Sequence, residues 1–231
     1  MDLSANRPWA PELIWETPAG DTLRLLLAQL PSHISFHLTL FGSSPLQLCV
    51  EPTFTSADVD LFADATVDEV KEAVTRAKLN KGESDVYVQV CTEMNFRSSP
   101  RWRLRAFTTQ VGNVKLTLPH PLDILIAKMH RADEKDLRAF RMVIAKTGHP
   151  TEDELRRELQ FSVDLYRPNF DEEMVGDITN NTRLVWQEIF GKDINVRQEI
   201  IAPALAARRE GYKLDIPQRD YRAELEQLSR E

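Results

Sequence analysis

Two hydrophobic periods divide the chain near residue 120. Ile34, Phe36, Leu38 and Leu40 alternate with Ser35, His37 and Thr39, which predicts a strand with one face in a core. The same two-residue period over 58–62 and 85–91 predicts further strands, and 102–111 with 114–118 predicts a hairpin turning at Gly112-Asn113. Leucines at 23, 25, 26, 27 and 30 predict a short buried helix over 21–30, with Asp21 as its cap and Pro31 as its stop. The segment 43–50 predicts a second helix with Pro45 in its first turn, and Val67, Val70 and Val74 predict a third over 66–79. Beyond Pro121 the strand period vanishes, and helical spacing predicts 121–131, 133–147, 151–166, 171–191 and 195–210. Thr151-Glu152-Asp153-Glu154 reads as a capping box, and the last stretch, with Pro217, as a loosely held tail. The expected class is α+β: a mixed β-sheet core with flanking helices over 1–118 and a helical C-terminal lobe over 119–231.

Composition narrows the setting. With 42% hydrophobic and 28% charged residues, the chain has the balance of a water-exposed globular protein long enough to bury a sizeable interior. No apolar run approaches the roughly 20 residues that span a bilayer. The first residues lack a basic segment leading into a long apolar one, so no membrane and a cytoplasmic location are expected. A net charge of −7 argues against broad adhesion to nucleic acid but leaves room for a local basic groove. Basic residues concentrate at Arg97, Arg101, Arg103 and Arg105, and again at Lys128, Arg131, Lys135, Arg138 and Arg141. The first group, mixed with Phe96 and Trp102, reads either as a strand-borne RNA surface or as a solvated hairpin face.

Other chemistry is thin. Cys49 and Cys91 have no partner at metal-ligand spacing and read as two buried thiols. The five histidines lack zinc-site clustering. His130 lies near Lys128 in sequence and is a candidate for a phosphate or base, although i and i+2 diverge on a helix. Nucleophile elbow, Walker loop and Rossmann fingerprint are all missing from the sequence.

The strongest candidate is an ordered pair of elements. The first strand delivers Gly42-Ser43-Ser44, a short helix follows, and the next strand begins Asp58-Val59-Asp60. Alternation aims both carboxylates to one face while Val59 and Leu61 enter the core. Two such acids offer hard oxygen ligands to Mg2+, and amides after Gly42 with the Ser43 and Ser44 hydroxyls suit a triphosphate. Nucleotidyl transfer needs this combination: a hydroxyl attacks the α-phosphate, pyrophosphate leaves, and magnesium neutralises the charge. Asp-x-Asp or Gly-Ser alone is common, and it is their order that points to chemistry.

These residues resemble the nucleotidyltransferase superfamily, in particular its AbiEii-like and MenT-like toxin branch, whose signature is Gly-[Gly/Ser], a helical segment and then Asp-x-Asp. The likeness extends to Leu118-Pro119-His120-Pro121-Leu122-Asp123-Ile124-Leu125-Ile126-Ala127-Lys128 and to Lys135-Asp136-Leu137, and covers roughly residues 20 to 147. The resemblance implies a nucleotidyltransferase-type sheet, with Asp58 and Asp60 as magnesium ligands and Gly42 and Ser43 as the phosphate turn. It also implies Lys128 as a triphosphate contact and Asp136 as an active-site acid. Read without it, Lys128 is a solvated helix residue and Asp136 a surface partner of Lys135 or Arg138. The chain departs from the family pattern at Phe54, where many relatives are basic, and at Gln89, where some place a third acid. Its motif spacing is also about one residue longer, which the Pro52 turn can absorb.

The implied activity is Mg2+-dependent movement of a nucleotide from an NTP to an RNA, by analogy tRNA, or to a protein acceptor. The implied biology is a toxin neutralised by an antitoxin protein. The alternative is a catalytically degenerate member that binds a nucleotide or a protein partner, with Gln89 marking the lost chemistry. A helical interaction module remains if Asp58 and Asp60 are ordinary surface residues.

Overall fold

Five strands form one mixed sheet in the order β3-β2-β1-β5-β4, in a computed structural model that describes residues 9–166 and 177–210. The central β1 (Phe36–Phe41) runs antiparallel to β2 (Asp58–Ala63) and parallel to β5 (Val114–Leu118). Outside them, β3 (Tyr87–Val90) pairs parallel with β2, and β4 (Phe107–Val111) antiparallel with β5. The class is α+β, with nine α-helices among the described residues. None of them is long and apolar enough to cross a membrane.

The alternation read from the sequence sorts the two sheet faces. Phe36, Leu38 and Leu40, Val59 and Leu61, Val88, and Val114, Leu116 and Leu118 form one core with α1 (Pro18–Gln29) and α3 (Val67–Arg76). The residues between them, Thr39, Phe41, Asp58, Asp60 and Phe62, belong to the other face. Asp21, the cap expected for the first helix, lies inside it. Thr17 is the cap instead, accepting from the Gly20 amide at 3.0 Å, because Pro18 is already fit for the first helical position.

A second core is helical. Phe140, Leu159, Val185 and Trp186 lie within it, supplied by α6 (Glu134–Thr147), α7 (Glu152–Phe161) and α8 (Ile178–Phe190). Ile124 and Leu125 of α5 (Pro121–Lys128) enter the same core, and Leu46 of α2 (Ser44–Cys49) and Phe54 join from the sheet side. The capping box at Thr151 forms as expected, with Glu154 Oε2 accepting from the Thr151 amide at 2.8 Å. The helix expected over 151–166 ends at Phe161 and continues as a 3-10 turn. Residues 171–176 of the next expected helix, and the tail with Pro217, lie outside the described residues. The last expected helix opens as a π-segment, Arg197–Ile201, before α9 (Ala202–Arg209). Pro203 has no N–H to give the Glu199 carbonyl, which accepts from Gln160 Nε2 at 2.7 Å instead.

The strand expected over 102–111 is corrected. Its first part is a helical turn, α4 (Trp102–Arg105), and only Phe107–Val111 is β. Arg105 is the reason: its guanidinium, 9% exposed, donates to both Asp123 oxygens at 3.0 and 2.6 Å and pairs with Glu158 at 2.9 Å. Ser99 adds a 3.0 Å hydrogen bond to Glu158, and Arg101 lies over the Phe161 ring. Arg101 and Arg105 are therefore part of a junction between α4, α5 and α7, not of a strand-borne surface, whereas Arg103 is exposed and pairs with Glu93. Removing one partner from such a network leaves charge stranded in the interior. Arg105→Ala is expected to lower stability by about 3–5 kcal/mol, read as a shift in the urea midpoint; a loss under about 1 kcal/mol contradicts the junction.

Candidate functional site

Chain direction reverses at Gly42. β1 ends at Phe41, Gly42 takes φ +69°, and α2 begins two residues later. Antiparallel pairing sets Phe41 opposite Asp60, so the Asp60 carboxylate lies against the glycine backbone. A Cβ on Gly42 would overlap Asp60 Oδ2. Glycine is thus required twice, for its left-handed φ and for the space that the acid occupies.

The two acids have different surroundings. Asp58 accepts from the Tyr87 hydroxyl at 3.2 Å through Oδ2 and from Ser56 Oγ at 3.4 Å through Oδ1. Among the described residues, no hydrogen bond or ion pair reaches the Asp60 carboxylate. Burial and then repulsion from Asp58 push its pKa from the ordinary 3.8 up to about 6, against the opposing charges of Lys128, Lys135 and Arg131. A half-buried carboxylate beside a second one, with no donor of its own, is an arrangement that a cation relieves.

Cations line the opposite wall. Lys128, at the end of α5 and 8% exposed, donates to Ser43 Oγ and to Asp136 Oδ1, each at 2.9 Å. Asp136 is fully buried and also takes two 2.9 Å hydrogen bonds from Arg131. Burial works to raise the Asp136 pKa, but the bonds from Arg131 and Lys128 outweigh it and hold the acid below the ordinary carboxylate range. Neither surface alternative for Lys128 or Asp136 survives: Asp136 is the buried counterion of Lys128 and Arg131, not a partner of Lys135 or Arg138. Lys135 lines the cleft without an ion pair among the described residues.

A cleft of about 270 Å³ gathers these groups. Gly42, Ser43, Asp58, Asp60, Lys128 and Asp136 all line it. Ser44 does not: it is fully buried and its Oγ donates to the Phe41 carbonyl at 3.3 Å, so its hydroxyl is spent inside the turn. His130 is not among the lining residues. Cys49 and Cys91 are free thiols, only half-buried, with pKa values pushed up by burial to about 12 and about 11.

Arg131, Lys135 and Tyr87 join the site without having been assigned a role in it from the sequence. The spacing of Lys128, Arg131 and Lys135 in the basic run carries a signal for the first two. Tyr87 has none, because its contact depends on the parallel register that pairs it with Asp58. The same register pairs Gln89 with Asp60, and Gln89 is exposed. Among the described residues no group of three or more His, Cys, Asp or Glu side chains converges as a metal site. Asp58 and Asp60 still fit a hard divalent ion, since a bound triphosphate and waters can supply the other oxygens. Compared with family models, with curated proteins and with solved structures, the chain gives no significant match.

The close approach at Gly42 predicts a coupled pair. Gly42→Ala is expected to cost more than about 2 kcal/mol in the native sequence, but only the left-handed φ penalty of about 1–2 kcal/mol in an Asp60→Ala background. Equal costs in both, measured by thermal unfolding, contradict the contact. Asp60 also gives a pH signature. Because its folded pKa lies above the unfolded one, its stabilising contribution is fully present below about pH 3.8 and is lost as pH rises through about 6. Asp60→Asn is therefore expected to melt about 2–4 °C above the native protein at pH 7.5, with the difference vanishing near pH 4.

Proposed function

We propose that this protein is a magnesium-dependent nucleotidyltransferase with a nucleotidyltransferase-type core, moving a nucleotide from an NTP to a hydroxyl of an RNA acceptor. The single observation that carries this reading is the Asp60 carboxylate beside Asp58, without a hydrogen bond or ion pair among the described residues, lining one cleft with Ser43, Lys128 and Lys135. The resemblance to the toxin branch makes tRNA the favoured acceptor and an antitoxin protein the natural partner.

Asp58 and Asp60 would hold Mg2+, which when bound supplies charge neutralisation at the reacting phosphate. Tyr87 and Ser56 orient Asp58 by their hydrogen bonds, leaving it to share the ion with Asp60. On the opposite wall, Ser43 and Lys128 bind the triphosphate, and Lys135 supplies a positive charge that no carboxylate among the described residues matches. Asp136 holds Lys128 beside Ser43 at the turn and anchors Arg131, instead of touching phosphate itself. In the reaction the acceptor oxygen bonds to the α-phosphorus, the bond from that phosphorus to the bridging oxygen breaks, and pyrophosphate leaves. The acceptor proton passes to solvent through the open cleft.

A nucleotide-binding protein without transfer is the rival reading, favoured by Gln89 standing opposite Asp60 where an acid would serve as base. Incubating the protein with total RNA, Mg2+ and each labelled NTP separates the two. Incorporation is expected with the native protein, falling by at least about 100-fold in Asp58→Asn and in Asp60→Asn. Unchanged turnover in either variant, or binding with no incorporation, contradicts the transferase.

A further inference from the structure

Asn95 sits where the cleft meets a second depression. It lines the wall with Gly42, Asp60 and Lys128, and also a neighbouring hollow of about 490 Å³ lined by Phe62, Gln89 and Cys91. The residue ends a 3-10 turn, Glu93–Asn95, whose capping box fixes the amide. Its Oδ1 accepts from the Thr92 backbone N–H at 3.0 Å and from Thr92 Oγ1 at 2.9 Å. A backbone N–H can only donate, so the oxygen of the amide must face Thr92 and the nitrogen must face away. The next residue, Phe96, is buried against Phe41 and Trp102, with ring centroids at 5.8 and 5.4 Å. The exposed side chain is therefore held from both sides, yet among the described residues its Nδ2 donates to nothing.

We propose that Asn95 is the specificity-determining residue for the nucleotide, reading the exocyclic group of its base with a donor-only amide. This rests on the nucleotidyltransferase reading of the same cleft. With its acceptor spent on Thr92, Asn95 offers hydrogen-bond donors alone at the cleft boundary. Such a group complements a carbonyl, as at O4 of uracil or O6 of guanine, and leaves the amino group of cytosine or adenine facing another donor. The protein prefers keto nucleotides, UTP and GTP, over amino nucleotides, CTP and ATP. In the adjoining hollow Asp64 and Glu93 are paired with His37 and Arg103, and Gln89, the other amide there, is hydrogen-bonded with the Cys91 thiol.

The test is binding of each of the four NTPs with Mg2+ to the native full chain and to Asn95→Asp, measured by calorimetry alongside incorporation. Aspartate still accepts from Thr92, so the turn is kept, but it presents an acceptor in place of the donor. Its added charge weakens all four triphosphates alike and cancels in the ratio. Native protein is expected to bind UTP or GTP about fivefold or more tightly than CTP and ATP, with the order reversed in Asn95→Asp. A native preference for CTP or ATP, or a ratio that Asn95→Asp leaves unchanged, overturns the inference even if incorporation proceeds. If no NTP binds the native protein, the nucleotidyltransferase reading fails and the inference with it.

Discussion

The Asp60 carboxylate fills the space where Gly42 would carry a side chain, and the rest of the site is arranged around that contact. It follows from the β1–β2 register, which sets Phe41 opposite Asp60 at the point where the chain must turn. The turn residue takes a left-handed φ, and the acid lies against it with no hydrogen-bond donor among the described residues. Burial and the neighbouring Asp58 make that acid costly to ionise. An under-compensated charge of this kind costs stability, and the metal proposed for the site would offset that same cost.

The opposite wall depends on α5 being held at both ends. Near its start, Asp123 is buried against Arg105, which also grips Glu158 of α7. At its end, Lys128 is fixed by Asp136 of α6 and reaches Ser43 beside the turn. Neither ion group need add net stability, since taking charges out of water offsets much of their attraction. Their effect is positional: they set the distance between the cationic end of α5 and the acids of β2, and hence the form of the cleft. Ala127, on the same helix, packs against the Phe41, Phe62, Phe96 and Trp102 cluster, of which Phe41 and Phe96 line the cleft.

Local pattern makes part of this legible. Alternation in β1 and β2 depends only on which residues face the core, so the sheet core and the shared face of Asp58 and Asp60 follow from sequence spacing. Gly42 and Ser43 stand out because few residues suit a strand-to-helix turn. The roles of Arg105 and Asp136 stay hidden because each is set by partners distant in sequence or brought in by another helix. Arg105 lies in a stretch that alternates like a strand, yet its tie to Asp123 and Glu158 overrides that preference and makes a helical turn. Ser44 has the chemistry of a phosphate contact, and only the geometry of the turn shows its hydroxyl directed at Phe41.

Everything proposed for this cleft requires Asp58 and Asp60 to share one divalent ion in front of the Gly42 turn. Anomalous scattering from Mn2+, in crystals soaked with a non-hydrolysable NTP, locates that ion without reference to turnover. A peak within coordination distance of both carboxylates is expected, with the triphosphate running toward Ser43 and Lys128. A metal bound elsewhere, or a triphosphate that leaves the two acids untouched, would contradict the shared ion and the chemistry built on it.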